Sequence, residues 1–349
     1  RSTLRRNFKT RRTFTLYDTS IDSRLSVVRD LIINTVFIMK QTTNTLLMVR
    51  PATFRKNEET AVNNYYQLDA AELTTAQVQQ NALFEFDSFV SILRDKGITV
   101  LVANANTEID TPDAIFPNNW VSFHANGDIG LYPMFAPNRR LERKDSILQF
   151  VESSGFTIDN VIDYSSAEEE ELFLEGTGSI VLDRENRKAY CAISARSDEE
   201  LFIEFCEDFE YTPVVFTANQ TVDGERAPIY HTNVMLCVAK TFAVICLASI
   251  DDKKERKQVK QQMKQDGKEL VVVTEEQLTH FAGNMLQVEN DKGELFLVMS
   301  AAAKACLTTQ QIDTIEKHCE IISANLATIE KCGGGSARCM LAEVFLPKA

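Results

Sequence analysis

What this 349-residue chain lacks narrows its role first. No stretch approaches the roughly 18 consecutive apolar residues that a membrane-spanning helix needs. Basic charge is in deficit: 37 lysines and arginines face 50 aspartates and glutamates, for a net charge of −13. Nucleic acid and anionic membrane both require a basic face, so neither is expected as a partner. No Pro/Gly/Ser-rich linker divides the chain, which reads as one domain although its length alone allows two. The eight cysteines, at 191, 206, 237, 246, 306, 319, 332 and 339, form neither metal-ligand pairs nor a dense disulfide framework. Several sit in apolar runs such as Val244-Ile245-Cys246-Leu247, which suits reduced core thiols in a cytoplasmic protein.

The first 38 residues are a different material. They carry eight arginines or lysines against three aspartates, begin without methionine and show no sustained apolar period. An organelle transit peptide has that composition, and so would a start placed upstream of Met39. On either reading residues 1–38 are a leader outside the fold, and the folded domain is expected over 43–349.

From residue 43 onward, short apolar strands alternate with acidic or glutamine-rich helices. The pattern predicts strands at Thr45–Val49, Thr99–Val102, Trp120–Phe123, Ile129–Tyr132, Val161–Asp163, Ser179–Asp183 and Lys188–Ala192. It continues with Val214–Phe216, Val234–Val238, Phe242–Cys246, Glu269–Val273, Met285–Glu289, Leu295–Met299 and Met340–Phe345. Helices are predicted over 74–96, 139–154, 197–208, 251–266 and 308–326, the last opened by Thr308 with Gln311 three residues on. Hairpin turns are predicted at Asn126-Gly127-Asp128, Asp183–Asn186 and Asn290–Gly293. The order strand–strand–helix–strand recurs about every 50–60 residues, a spacing typical of repeat architectures.

The run Cys332-Gly333-Gly334-Gly335-Ser336-Ala337-Arg338-Cys339 carries the most chemistry. Three glycines let the backbone pass close to another group, and a cysteine follows with Arg338 beside it to favour the thiolate. A nucleophile delivered on a glycine-rich loop fits that pattern, as does a turn followed by a buried core thiol. A cysteine nucleophile needs a base and something to orient it. Of the histidines at 124, 231, 280 and 318, His231 stands just before an apolar strand, the others in or beside a turn, a polar loop and a helix. Glu175 lies in Leu172-Phe173-Leu174-Glu175-Gly176-Thr177-Gly178-Ser179, a carboxylate inside an apolar stretch that is expensive to bury without a partner.

In this order the segments resemble the guanidine-modifying enzymes of the pentein fold: arginine deiminase, dimethylarginine hydrolase and the amidinotransferases. Phe116-Pro117-Asn118-Asn119 resembles that superfamily's Phe-x-x-Asp segment. Met134 to Glu142 resembles its Met–Arg–Glu segment, and Glu175-Gly176-Thr177-Gly178 its Glu-Gly-Gly-Asp. His231-Thr232-Asn233 is similar to His-x-Asp, and Gly333–Cys339 to the glycine-rich loop ending in Arg-Cys-Met. The resemblance implies an α/β fold, a five-bladed pseudo-symmetric propeller of strand–strand–helix–strand modules. It also implies Cys339, His231 and Glu175 as catalytic residues, with Arg139 and Arg196 binding the substrate carboxylate.

The departures concern charge. Two aspartates grip the guanidinium in the superfamily, and here those positions are Asn119 and Asn233. Amides carry no charge but each supplies a donor and an acceptor, which suits a neutral ureido group better than a guanidinium. The chain is accordingly most similar to the citrulline-utilisation hydrolases. Gly178, standing where the superfamily has an aspartate, is a third departure.

The resemblance implies attack of Cys339 on the ureido carbon, protonation of the departing nitrogen by His231, and a thiocarbamoyl-enzyme that water resolves. The products are ornithine, ammonia and carbon dioxide. Thiolate and imidazole suffice, so neither metal nor organic cofactor is expected. The expected partner is a small amino-acid substrate, and an oligomer is compatible with the sequence. Alternatives are a guanidino-group enzyme (arginine deiminase, dimethylargininase or amidinotransferase) and a non-catalytic pentein that binds a macromolecule.

Overall fold

The computed structural model describes Thr10–Thr13 and residues 39–349. Among the described residues, four three-stranded sheets and one four-stranded sheet carry the fold, and a three-stranded unit of one wiring recurs in all five. In each, a middle strand pairs antiparallel with one neighbour and parallel with the other. Lys188–Ala192 lies between Ile180–Asp183 (antiparallel) and Thr212–Phe216 (parallel). Phe242–Ile245 lies likewise between Leu236–Val238 and Glu269–Val272, and Leu295–Ser300 between Leu286–Glu289 and Glu320–Ala324. Asp128–Leu131 pairs in the same way with Val121–Phe123 and Asn160–Asp163. The fifth sheet joins distant parts of the chain: Thr45–Arg50 runs antiparallel to Ala342–Glu343 and parallel to Thr99–Asn104.

The connections follow from the pairing. An antiparallel neighbour needs only a tight turn, whereas a parallel neighbour needs a crossover long enough to hold a helix. Thr75–Asp95, Asp145–Ser153, Glu199–Asp208, Lys253–Gln265 and Thr309–Glu316 fill those crossovers. Thr75–Asp95 starts with a full capping box between Thr74 and Gln77, and buries Val78, Ala82, Phe86, Phe89, Val90 and Leu93. That stripe recurs at three- and four-residue steps, so one face packs on Thr99–Asn104 and Glu320–Ala324 while the other meets water.

The first strands of neighbouring modules meet. Ala342–Glu343 lies beside Val121–Phe123, and Leu236–Val238 touches both Ile180–Asp183 and Leu286–Glu289. The described strands are not hydrogen-bonded into one closed sheet. An α/β architecture of small sheets and helices is therefore shown, and a closed five-bladed circuit is not.

All fourteen predicted strands are present within one to three residues at most ends, with one larger change. The strand predicted over Met340–Phe345 shrinks to Ala342–Glu343, its start taken up by the 3-10 turn Ala337–Met340. The helix predicted over 308–326 stops at Glu316, and Glu320–Ala324 is instead the parallel edge of its sheet. The helix predicted over 139–154 divides into a turn at Pro137–Arg140 and a helix from Asp145. An unforeseen hairpin pairs Asn219–Val222 with Glu225–Pro228 around Asp223-Gly224. Within the leader, Thr10–Thr13 runs antiparallel to Asn160–Asp163; the remainder of 1–38 lies outside the described residues. Among the described residues no helix is long and apolar enough to cross a membrane.

Candidate active site

Each module's first strand is preceded by a short turn, and these turns converge. Pro117–Asn119, Gly176–Ser179, Thr232–Val234 and Ala337–Met340 are single helical turns, and Phe281–Asn284 closes a turn of its own. Gly176–Ser179 packs on both Pro117–Asn119 and Thr232–Val234, and Pro117–Asn119 packs on Ala337–Met340. Equivalent places in the five turns hold Asn119, Gly178, Asn233, Asn284 and Cys339, at intervals of 59, 55, 51 and 55 residues. A narrow cleft opens beside them, bordered by Asp113, Asn119, Arg139, Arg196, His231 and Cys339.

Glu175 and His231 form the buried base of the site. His231 Nε2 lies 2.8 Å from Glu175 Oε2. The carboxylate can only accept, so Nε2 carries the proton and Nδ1 keeps its lone pair. Glu175 also accepts from the Phe135 backbone N–H at 3.0 Å, with Arg196 at 3.5 Å and Arg139 at 3.8 Å. Burial pushes this carboxyl up, but Arg196, the His231 hydrogen bond and Arg139 together outweigh it and hold it well below the usual carboxylate range. His231 is pushed down to about 4, chiefly by burial and further by the two arginines, against the opposing pull of Glu175. The imidazole is therefore a neutral base at neutral pH.

Cys339 sits on the turn that follows the three glycines. Gly334 ends the helix Ala327–Gly333 in the left-handed region at φ 61°, where a side chain would be strained. Tyr230 Oη and Asn64 Nδ2 both donate to its carbonyl, at 2.6 and 3.2 Å, which fixes the loop. The thiol meets Asn284 Nδ2 at 3.2 Å and Asn233 Nδ2 at 3.6 Å. Arg338 does not serve the thiol as its place in the sequence suggests. Its guanidinium donates to the Leu341 carbonyl at 2.7 Å and to Glu343 Oε2 at 2.6 Å. Successive side chains on a 3-10 turn diverge by about 120°, so neighbours in sequence face opposite ways.

Asn119 and Arg139 are locked together. Arg139 closes bidentately on Glu142, at 3.0 and 2.9 Å, and donates through Nη1 to Asn119 Oδ1 at 2.8 Å. Arginine has no acceptor, so Asn119 must present its oxygen there, and its Nδ2 is left buried without a partner. Gly178 explains how the amide fits. A Cβ at this position would stand 2.4 Å from Asn119 Nδ2 and 2.8 Å from His231 Nδ1, too close for any side chain. Arg196 is held through Asn63 Oδ1 at 2.9 Å and the Thr60 carbonyl at 2.7 Å. Both arginines border the cleft, but most of their donors are occupied by protein groups.

Two further groups escaped the sequence reading. Asp113, almost wholly buried, accepts from Asn57 and Thr60 through Oδ2, while Oδ1 has no partner. Burial pushes its carboxyl up against the pull of Arg139. Asn284 was legible only as the fourth member of the repeated turn. The other histidines stand apart from the cleft: His124 is buried against Phe209 and bonded to Ser122, His280 is exposed, and His318 bridges Thr241 and Glu269. The four cysteines at 191, 206, 237 and 246 are buried and unpaired. Among the described residues no group of three or more His, Cys, Asp or Glu side chains is placed to hold a metal ion.

A family model described as N,N dimethylarginine dimethylhydrolase, eukaryotic, matches residues 50–346. No curated protein matches the chain in sequence. Among solved structures, the N-terminal domain of ArgZ with a covalent reaction intermediate superposes at TM-score 0.66 and 17% identity, covering 87% of this chain and 99% of that one. Apo ArgZ, an arginine dihydrolase from the ornithine-ammonia cycle in cyanobacteria, gives 0.67 at 16% identity, covering 87% of this chain and 41% of that longer one. A dimethylarginine dimethylaminohydrolase variant carrying an S-methyl-L-thiocitrulline adduct gives 0.55 at 12% identity, with 86% and 98% covered. At these identities the likeness speaks for the fold.

Proposed function

The chain belongs to the N,N dimethylarginine dimethylhydrolase family, within the guanidino-modifying pentein superfamily, and from that premise we propose that it hydrolyses the ureido C–N bond of citrulline. Membership sets the coarse class, a hydrolase of guanidino-type C–N bonds. The finer choice rests on one observation: Arg139 holds the oxygen of Asn119, so the group Asn119 has left is an N–H donor. A ureido group offers an oxygen to that donor. A guanidinium offers only N–H groups and would face it donor to donor.

The steps follow from the same atoms. His231 takes the Cys339 proton on Nδ1, and the thiolate attacks the ureido carbon. Asn119 Nδ2 donates to the oxygen as charge gathers there, a role that preorganised amide donors fill well. The imidazolium returns the proton to the departing nitrogen, leaving an S-carbamoyl cysteine. Neutral His231 then draws a proton from water, which releases the carbamoyl group. One citrulline and one water give ornithine, ammonia and carbon dioxide. Asp113 Oδ1, an acceptor without a partner, suits the α-ammonium of the amino acid. We further read the five modules as the blades of a pseudo-five-fold propeller, which places the five turns at one end of its axis.

A second reading sets a guanidinium against the Asp113 carboxylate, among the described residues the one acidic group on the cleft with an unfilled acceptor. An assay of the purified chain with citrulline, arginine and N,N-dimethylarginine side by side, scoring ornithine and ammonia, separates the two. Turnover of citrulline above the others supports the ureido reading. Turnover of the guanidino compounds with citrulline inert overturns it.

A further inference from the structure

We propose that Asn284 is a further catalytic residue, the donor that holds the Cys339 thiolate. Its Nδ2 lies 3.2 Å from Sγ, and the amide cannot be turned round. Oδ1 accepts from the Arg338 backbone N–H at 3.0 Å. Nδ2 faces the Asn233 backbone carbonyl at 3.1 Å, a group that only accepts. Both neighbours impose the same orientation, so an N–H is presented to the sulfur whatever its protonation state. Asn233 Nδ2 is a weaker second donor at 3.6 Å, because the Thr177 carbonyl competes for it at 3.4 Å.

The surrounding charges leave this task to an amide. The titratable groups that border the cleft with Cys339 are Asp113, Arg139, Arg196, Tyr230 and His231. Arg139 is closed on Glu142, Arg196 on Asn63 and Thr60, Tyr230 Oη on the Gly334 carbonyl, and His231 Nε2 on Glu175. Arg338, on the thiol's own turn, points away to Glu343. When His231 takes the proton, the S–H bond breaks and the sulfur gains a full charge. The Asn284 N–H is then the hydrogen bond that steadies it until the S–C bond forms. Hydrogen bonds to a charged group are the stronger kind.

The inference rests on Cys339 as nucleophile and is indifferent to the substrate, so its test uses a readout without substrate. Iodoacetamide labelling of Cys339, followed by peptide mass spectrometry across pH, reports the thiol's midpoint. Full turnover after complete labelling of Cys339 would defeat the nucleophile assignment itself. Asn284→Asp keeps an oxygen for the Arg338 N–H and replaces the donor with an acceptor. Its labelling midpoint should rise by at least about one pH unit, and kcat should fall about ten-fold or more while KM moves little. An unmoved midpoint in the folded variant overturns the proposal. The unmutated protein supplies a second arm: the side-chain amide resonances of Asn284 should titrate with the Cys339 midpoint. Resonances that ignore that midpoint overturn the proposal even where the variant does not fold.

Discussion

Glu175 and His231 share one hydrogen bond of 2.8 Å between almost wholly buried side chains, and each shifts the other's proton affinity. The pairing makes the fold sensitive to acid in a defined window. His231 titrates at about 4 in the folded chain against an ordinary 6.5. Between those values the unfolded chain binds the proton and the folded chain does not, so stability rises with pH through the window. The contribution is fully present above pH 6.5 and is lost as the pH falls towards 4. Glu175, held low, extends the loss below the usual carboxylate range. Melting temperature measured from pH 7 to pH 4 should therefore drop, and His231→Gln should flatten the upper part of that drop. Identical slopes in the two proteins would contradict the assignment.

Arg139 carries a prediction that separates two roles. Its bidentate face is occupied by Glu142, and the pair is almost wholly buried. Removing the guanidinium strands a buried carboxylate, a change that costs about 3–5 kcal/mol. It also frees Asn119 to turn its oxygen towards the cleft. Arg139→Ala should thus melt well below the parent and lose kcat more than it gains KM. A stable variant whose only defect is a sharply raised KM would show that Arg139 instead clamps the substrate carboxylate.

Gly178 makes room for two side chains of the candidate site at once. A methyl group there meets the Asn119 amide and the His231 ring inside normal contact distance. Overpacking of this kind costs about 1–3 kcal/mol, and here the groups that must yield are the two to which the proposed mechanism gives work. Gly178→Ala should reduce kcat by at least about ten-fold, which corresponds to only about 1.4 kcal/mol of transition-state stabilisation. The overall fold should survive, as judged by an unchanged circular dichroism spectrum. Full activity in the variant would show that the amide and ring are not fixed by this contact.

Much of this was legible in the sequence because each module repeats a strong local signal. The apolar strands at 236–238, 242–245 and 286–289 are bounded by turn residues and leave little ambiguity. The strand Glu320–Ala324 was masked, since a capping box at Thr308 opens a helix and Lys317-His318-Cys319 offers no turn residue to close it. Cys339, His231 and Glu175 could be found by motif. Asp113 could not, because Asp110-Thr111-Pro112-Asp113 reads as an ordinary surface turn. Nor could the orientations of Asn119 and Asn284 be read. Each is decided by a distant partner, the Arg139 guanidinium in one case and the Asn233 carbonyl in the other. Arg338 misled for the converse reason: adjacency in sequence placed it by a thiol that its turn points away from.

The ratio of kcat/KM for citrulline over arginine, in the parent and in Asn119→Asp/Asn233→Asp, tests the central claim most directly. Two carboxylates would restore a grip on a cation, with charge-assisted bonds of about 1.5–3 kcal/mol each. They would also set acceptors against the ureido oxygen. The parent should favour citrulline, and the double variant should shift the ratio towards arginine by at least about ten-fold even if it is slow with both. A parent that already prefers arginine, or a ratio unmoved by the exchange, would contradict the neutral-substrate account and leave the guanidino reading in its place.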